Sequence, residues 1–196
     1  RANPVARGDI ERGRSSAYIE RLLNRYSSPN FPVWAFMEVI SFGTFCHFYK
    51  FCAKRFDNDE MKSRYNLLME VKNFRNACAH NNCVINDLST KGPPNNRFRT
   101  LTQELARIRG IGKSQRRNKM RNRRISQVVT VLYLHSKMAS EGVKDYAAQS
   151  LDVFVKRMNK NIRYYRGADA VASTFQFITS VVEAWYPLGE STATES

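Results

Sequence analysis

Apolar residues recur along most of this chain at helical rather than strand spacing. Ser15 or Ser16 can cap a helix whose Tyr18, Ile19, Leu22 and Leu23 make one apolar stripe. Ser27-Ser28-Pro29-Asn30 breaks it. Pro32 suits the first turn of a second helix, running from about Val33 to Lys54. That segment is apolar almost all round, which predicts a central position. Asp57-Asn58-Asp59 reads as a turn and N-cap, opening a third helix that runs to about Asn81. Helical patterns return at about 98–109, 115–140, 143–166 and 168–184. No run of alternating strand pattern and no internal repeat is visible.

These patterns predict an all-α fold. Residues 1–14 are basic and irregular and read as a flexible lead-in. A single helical domain is expected over 15–186, with the clearest loop near 86–97 around Gly92-Pro93-Pro94 and a mobile tail over 187–196. The chain opens on Arg1 rather than Met, as a processed or truncated product does. At 42% hydrophobic its 196 residues can bury a real core.

Apolar content also bears on location. The longest apolar stretch, Phe31 to Ala53, is interrupted by Glu38, His47 and Lys50, so no membrane span is expected. No signal peptide pattern is present, and three of the four cysteines sit in apolar helical patterns as buried free thiols do. A cytoplasmic, reduced location follows as the expectation.

Charge changes the picture most. The chain carries 32 Lys and Arg against 17 Asp and Glu, a formal +15. From Arg97 to Arg124 there are eleven basic residues and one acid, Glu104. Lys113, Arg116, Arg117, Lys119, Arg121, Arg123 and Arg124 follow without an acid between them. Like charges this dense destabilise a helix unless an anion screens them. These seven are the candidate RNA-binding residues, and nucleic acid is the first candidate partner. A solvated face or an acidic protein partner is the competing reading. Tyr164 and Tyr165, beside Arg163 and Arg166, form a second spot where bases could stack.

The candidate chemistry lies in Arg75-Asn76-Ala77-Cys78-Ala79-His80. On an ideal helix Leu67, Val71, Phe74 and Cys78 share an apolar stripe, while Asn73, Asn76 and His80 share another face. Arg75 falls at the border of the apolar stripe and calls for an anionic partner there. Arg75 and His80 point about 140° apart. They can serve one phosphate only if the helix frays before His80 or a second copy of the motif completes the site. Arg plus His, without a carboxylate or metal cluster, suits RNA cleavage by the RNA's own 2′-OH. Imidazole moves the proton and guanidinium stabilises the phosphate charge. The competing reading is an ordinary polar helix end, with a histidine favoured by the helix dipole. Glu38, a lone charge in an apolar segment, is a candidate partner for Arg75 or else a core-edge residue reaching solvent.

Other signals are weak. Gly110-Ile111-Gly112-Lys113-Ser114 imitates the end of a P-loop but has Arg107 where glycine is needed. Cys78, His80 and Cys83 lack a fourth zinc ligand at a recognised spacing. His47 and His135 read as core or interface residues. No cofactor and no metal are expected.

The hexapeptide Arg75 to His80 resembles the Arg–spacer–His signature of HEPN domains. Upstream, Pro32, Trp34, Glu38 and Ser41-Phe42-Gly43-Thr44 resemble a helix of the Abi-like abortive-infection proteins, at that family's usual distance from the signature. The resemblance covers roughly residues 15–90. It implies a HEPN-type bundle with additional C-terminal helices and a homodimer that assembles an RNA-cleaving site without metal. It also implies a role in phage defence or a toxin–antitoxin arrangement, with RNA as substrate or regulator. By it, Arg75 and His80 are catalytic with Asn76, and Glu38 and Asn73 support them. The alternative is a non-catalytic RNA-binding or antitoxin-like module. Family members usually carry a further N-terminal helical segment, which the sequence pattern does not reveal here.

Overall fold

The computed structural model describes residues 4–26, 31–88, 99–165 and 167–188. The expected breaker at 27–30, most of the 86–97 loop, Arg166 and most of the 187–196 tail lie outside those residues. Among the described residues every regular element is helical, as the spacing predicts. No described helix is long and apolar enough to cross a membrane.

The chain forms two compact units, Arg1–Lys72 and Asn73–Ser196. The first holds α1 (Pro4–Gly13), α2 (Glu20–Arg25), α3 (Val33–Val39) and α4 (Phe42–Arg55). Helix α5 (Asp59–Ala79) runs across the division. The second unit adds α6 (Arg99–Ala106), α7 (Lys113–Arg121), α8 (Arg123–Met138), α9 (Glu141–Lys160), a 3₁₀ turn (Ile162–Tyr165) and α10 (Asp169–Trp185).

Three expectations change in the first unit. The irregular lead-in is instead helix α1, which packs on α2, α3 and α4. Its Asp9 is buried and accepts hydrogen bonds from Ser41 N–H at 3.0 Å, from the Thr44 hydroxyl and from Arg12. The predicted helix from Val33 to Lys54 is two helices, because Ser41 leaves helical geometry and caps α4 by accepting from Thr44 N–H at 3.2 Å. Nor is that segment central throughout. Ala35, Val39, Cys46 and Ala53 are buried, whereas Val33, Trp34 and Phe51 are more than half exposed.

In the second unit α10 packs on α8 and α9. Ile125 and Val129 of α8 meet no solvent to speak of, and neither do Phe177 and Val181 of α10. Each such pair repeats at i, i+4, and each side chain contributes about 1.5–3 kcal/mol by leaving water. Tyr186 closes this core. Its hydroxyl donates to Leu132 O at 2.8 Å, and His135 Nδ1 lies 2.9 Å from the Tyr186 hydroxyl oxygen. Burial pushes the phenol up to about 12. His135 is thus a packing residue, as its surroundings predict. The expected helix over 115–140 is divided at Asn122. Its side chain accepts from Arg124 N–H and Ile125 N–H, and its amide donates to Asp87 O at 2.9 Å.

Candidate functional site

Helix α5 starts as its sequence predicts, with Asn58 Oδ1 accepting from Met61 N–H at 2.9 Å. Its other end carries the hexapeptide. Asn81 adopts φ 53, its N–H donates to Cys78 O at 3.0 Å, and Asn82 N–H donates to Ala77 O at 2.9 Å. This paired closure is the Schellman arrangement, in which a left-handed residue turns the chain away from the axis. Asparagine tolerates that conformation better than other residues with a Cβ. His80 is therefore the last residue before the turn, and its N–H still donates to Asn76 O at 3.0 Å. The helix does not fray before His80.

The site residues lie as follows. Arg75 and His80 are exposed, while Asn73 and Asn76 are half-buried. Arg75 Nη1 donates to Asn76 Oδ1 at 3.2 Å. The expected demand for an anionic partner at Arg75 disappears, because the guanidinium is not held against the apolar stripe. That stripe weakens toward its end: Leu67 is buried, Val71 and Phe74 half-buried, and Cys78 exposed. Cys78 is thus no buried thiol; Cys46 is, and burial pushes its thiol up against the pull of Lys72. Glu38 is exposed, which removes the burial argument for pairing it with Arg75. The structure brings Arg75 and Asn76 together, whereas His80 is tied to Asn76 only through its backbone N–H.

The basic segment divides by burial. Lys113, Arg117 and Arg123 are exposed, and Arg116, Arg121 and Arg124 are half-buried. Arg116 Nη1 donates to Ile111 O at 2.7 Å and ties down the turn before α7. Lys119 departs from the expectation. Its side chain is buried, and Nζ donates to Ser173 Oγ at 2.8 Å and Thr174 Oγ1 at 2.9 Å. Desolvation lowers its pKa, since burial disfavours the charged form. Lys119 therefore anchors α7 to α10 and is not offered to a phosphate. Glu104, the lone acid of the segment, bonds Arg107 and reaches Lys137 at 3.3 Å.

Two features are not marked by the sequence pattern. Asp9 lies in α1, over a segment whose sequence pattern reads as irregular. Its carboxyl is pushed up by burial, but the bonds from Thr44, Ser41 and Arg12 outweigh that and hold it below its ordinary value. Asp9 gives Ser41 and Thr44 of the Ser-Phe-Gly-Thr stretch their roles. Gly43 adds close approach: a Cβ there would meet Lys72 Cε at 3.2 Å. The second feature is a cavity of about 470 Å³ between α9, the 3₁₀ turn and α10, lined in part by Arg157, Asn161, Tyr164, Tyr165 and Phe175. The Tyr-Tyr pair was visible as a signal, but Phe175 and Arg157 join it only in three dimensions.

Residues 5–86 match the family model described as Abi-like protein. The matched residues span nearly all of α1 and the whole hexapeptide helix. No curated protein and no solved structure matches the chain.

Proposed function

From the match of residues 5–86 to the Abi-like family model, we propose that this protein is a metal-independent endoribonuclease of phage defence, acting in abortive infection or a toxin–antitoxin pair. The observation that carries the proposal is the capped end of α5. It presents Arg75 and His80 to solvent on a rigid helix, with Asn76 bonded to the guanidinium. In this reading an RNA 2′-OH loses its proton to an imidazole as its oxygen attacks the adjacent phosphorus. Arg75 stabilises charge growing on the phosphate oxygens. The 5′-oxygen leaves and takes up a proton. The products are a 2′,3′-cyclic phosphate and a 5′-OH, so no oxidant, metal or co-reactant is needed.

On a regular helix Arg75 and His80 point about 140° apart, so in this reading one copy supplies one of them to a given phosphate. A homodimer with two facing motifs supplies both. Lys113, Arg117 and Arg123 would hold the substrate backbone or a regulatory RNA.

The test is incubation of the purified chain with total RNA in EDTA, followed by mapping of the cut ends. Cyclic-phosphate ends are expected. His80→Ala should lower the rate by about 10²–10⁴ while RNA binding is retained. Arg75→Ala should behave similarly. Absence of cleavage by the parent protein across varied RNAs overturns the nuclease. If binding persists, it selects a non-catalytic RNA-binding or antitoxin-like module, which the basic surface by itself favours.

A further inference from the structure

The cavity beside the 3₁₀ turn is remote in sequence from the hexapeptide and has no part in the chemistry above. From its chemistry we propose that it holds an unpaired base of single-stranded RNA, stacked on Tyr164 with its phosphate on Arg157. This inference rests on the RNA reading and adds to it a site that distinguishes single strands from duplexes.

Three observations converge. The first is space: about 470 Å³ falls within the range of pockets that take small organic groups. The second is the lining. Tyr165 packs edge-on against Phe175 with centroids 5.0 Å apart, making a fixed aromatic wall. Tyr164 stands at the rim, 69% exposed, with the Arg163 guanidinium 5.0 Å from its ring centroid. Asn161 offers an amide oxygen for a base edge while its Nδ2 donates to Arg157 O at 2.9 Å. Phe154, also lining the cavity, is 43% exposed, so the mouth is apolar as well as open.

The third is charge. Arg157, Lys160 and Arg163 are exposed around the cavity, whereas Lys156 is paired with Asp152 at 2.7 Å. An apolar helix of a partner protein would gain nothing from that field. An occupant both flat and anionic satisfies the aromatic rings and the cations together. A duplex cannot enter, because its bases are stacked and paired.

The experiment uses the full chain carrying His80→Ala, so that cutting does not obscure binding. Fluorescein-labelled oligouridine and a labelled RNA duplex of equal length are titrated across a salt series. Tyr164→Ala should weaken oligouridine binding about tenfold, with the salt slope unchanged, since stacking releases no counterions. Tyr164→Phe should stay within about twofold of the parent, because the ring is retained. Tyr164→Leu, which keeps bulk without aromaticity, should fall with alanine. Arg157→Ala should instead reduce the salt slope by about 0.7. Duplex binding should not respond to Tyr164.

Equal losses on duplex and single strand, or no loss with Tyr164→Ala, overturn the proposal. So does Tyr164-dependent binding of an acidic, aromatic peptide in place of oligouridine, which assigns the cavity to a protein partner. The two readings fail separately. RNA cutting by the parent without a Tyr164 effect removes only the stacking site. A Tyr164 effect without cutting removes only the nuclease.

Discussion

At the scale of single residues, Asp9 shows how one carboxylate organises a motif. Its oxygens take the Ser41 N–H and the Thr44 hydroxyl, so α1 is fastened to the start of α4. Removing a buried acceptor leaves its donors unsatisfied, at about 1–3 kcal/mol. The pH dependence follows from the lowered folded pKa. The contribution is fully present above the unfolded value, near 3.8, and is lost as pH falls through the lower folded value. The parent should therefore exceed Asp9→Asn in urea midpoint, read by tryptophan emission, at neutral pH. That advantage should shrink across roughly pH 5 to pH 2. An advantage that grows on acidification would contradict the assignment. Lys119 is the complementary lesson. By sequence it is one of seven cations, but two hydroxyls of α10 claim it.

At the scale of elements, the breaks matter as much as the helices. Apolar periodicity runs on through Ser41 and Asn122, so the pattern reads one helix where there are two. Periodicity records which face is buried, whereas a cap depends on where a side-chain oxygen finds free N–H groups. Asn122 does both jobs, capping α8 and donating to Asp87 O. Asn122→Ala should cost about 1–2 kcal/mol and speed amide exchange in the first turn of α8. Asn122→Asp keeps the capping oxygen and loses the donor, so it should fall between alanine and the parent. Equal exchange in all three would remove the cap from the account. The end of α5 is the contrasting case, since Asn81 and Asn82 sit where a left-handed turn needs a tolerant residue.

At the scale of the molecule, the positive charge is a surface property only in part. Lys113, Arg117 and Arg123 project to solvent, while neighbours in sequence serve the fold. A like-charged helix tolerates this because Lys119 and Met120 are anchored in the interior. Each phosphate contact on single-stranded nucleic acid adds about 0.7 to the salt slope. Replacing the three exposed cations with alanine should then lower the slope for single-stranded RNA by about 2. Lys119→Met should leave it unchanged. A slope that responds to Lys119 as strongly as to Arg117 would place Lys119 among the phosphate-binding cations.

The sequence by itself determined the helical class, the position of α5, and the residues that carry candidate chemistry. These depend on short-range spacing and residue type, and both are written locally. The match over residues 5–86 agrees with the stretch that the Trp34-to-Thr44 segment and the hexapeptide had marked. Only the tertiary structure decided that the opening segment is a helix held by Asp9, that Glu38 and Arg75 are exposed, and that Lys119 is interior. It also decided that Arg157, Tyr164 and Phe175 share a cavity. Each of these turns on which distant side chain reaches a polar atom or covers a surface. Neither period nor composition encodes that, because the partners lie tens of residues apart and meet only when the helices pack.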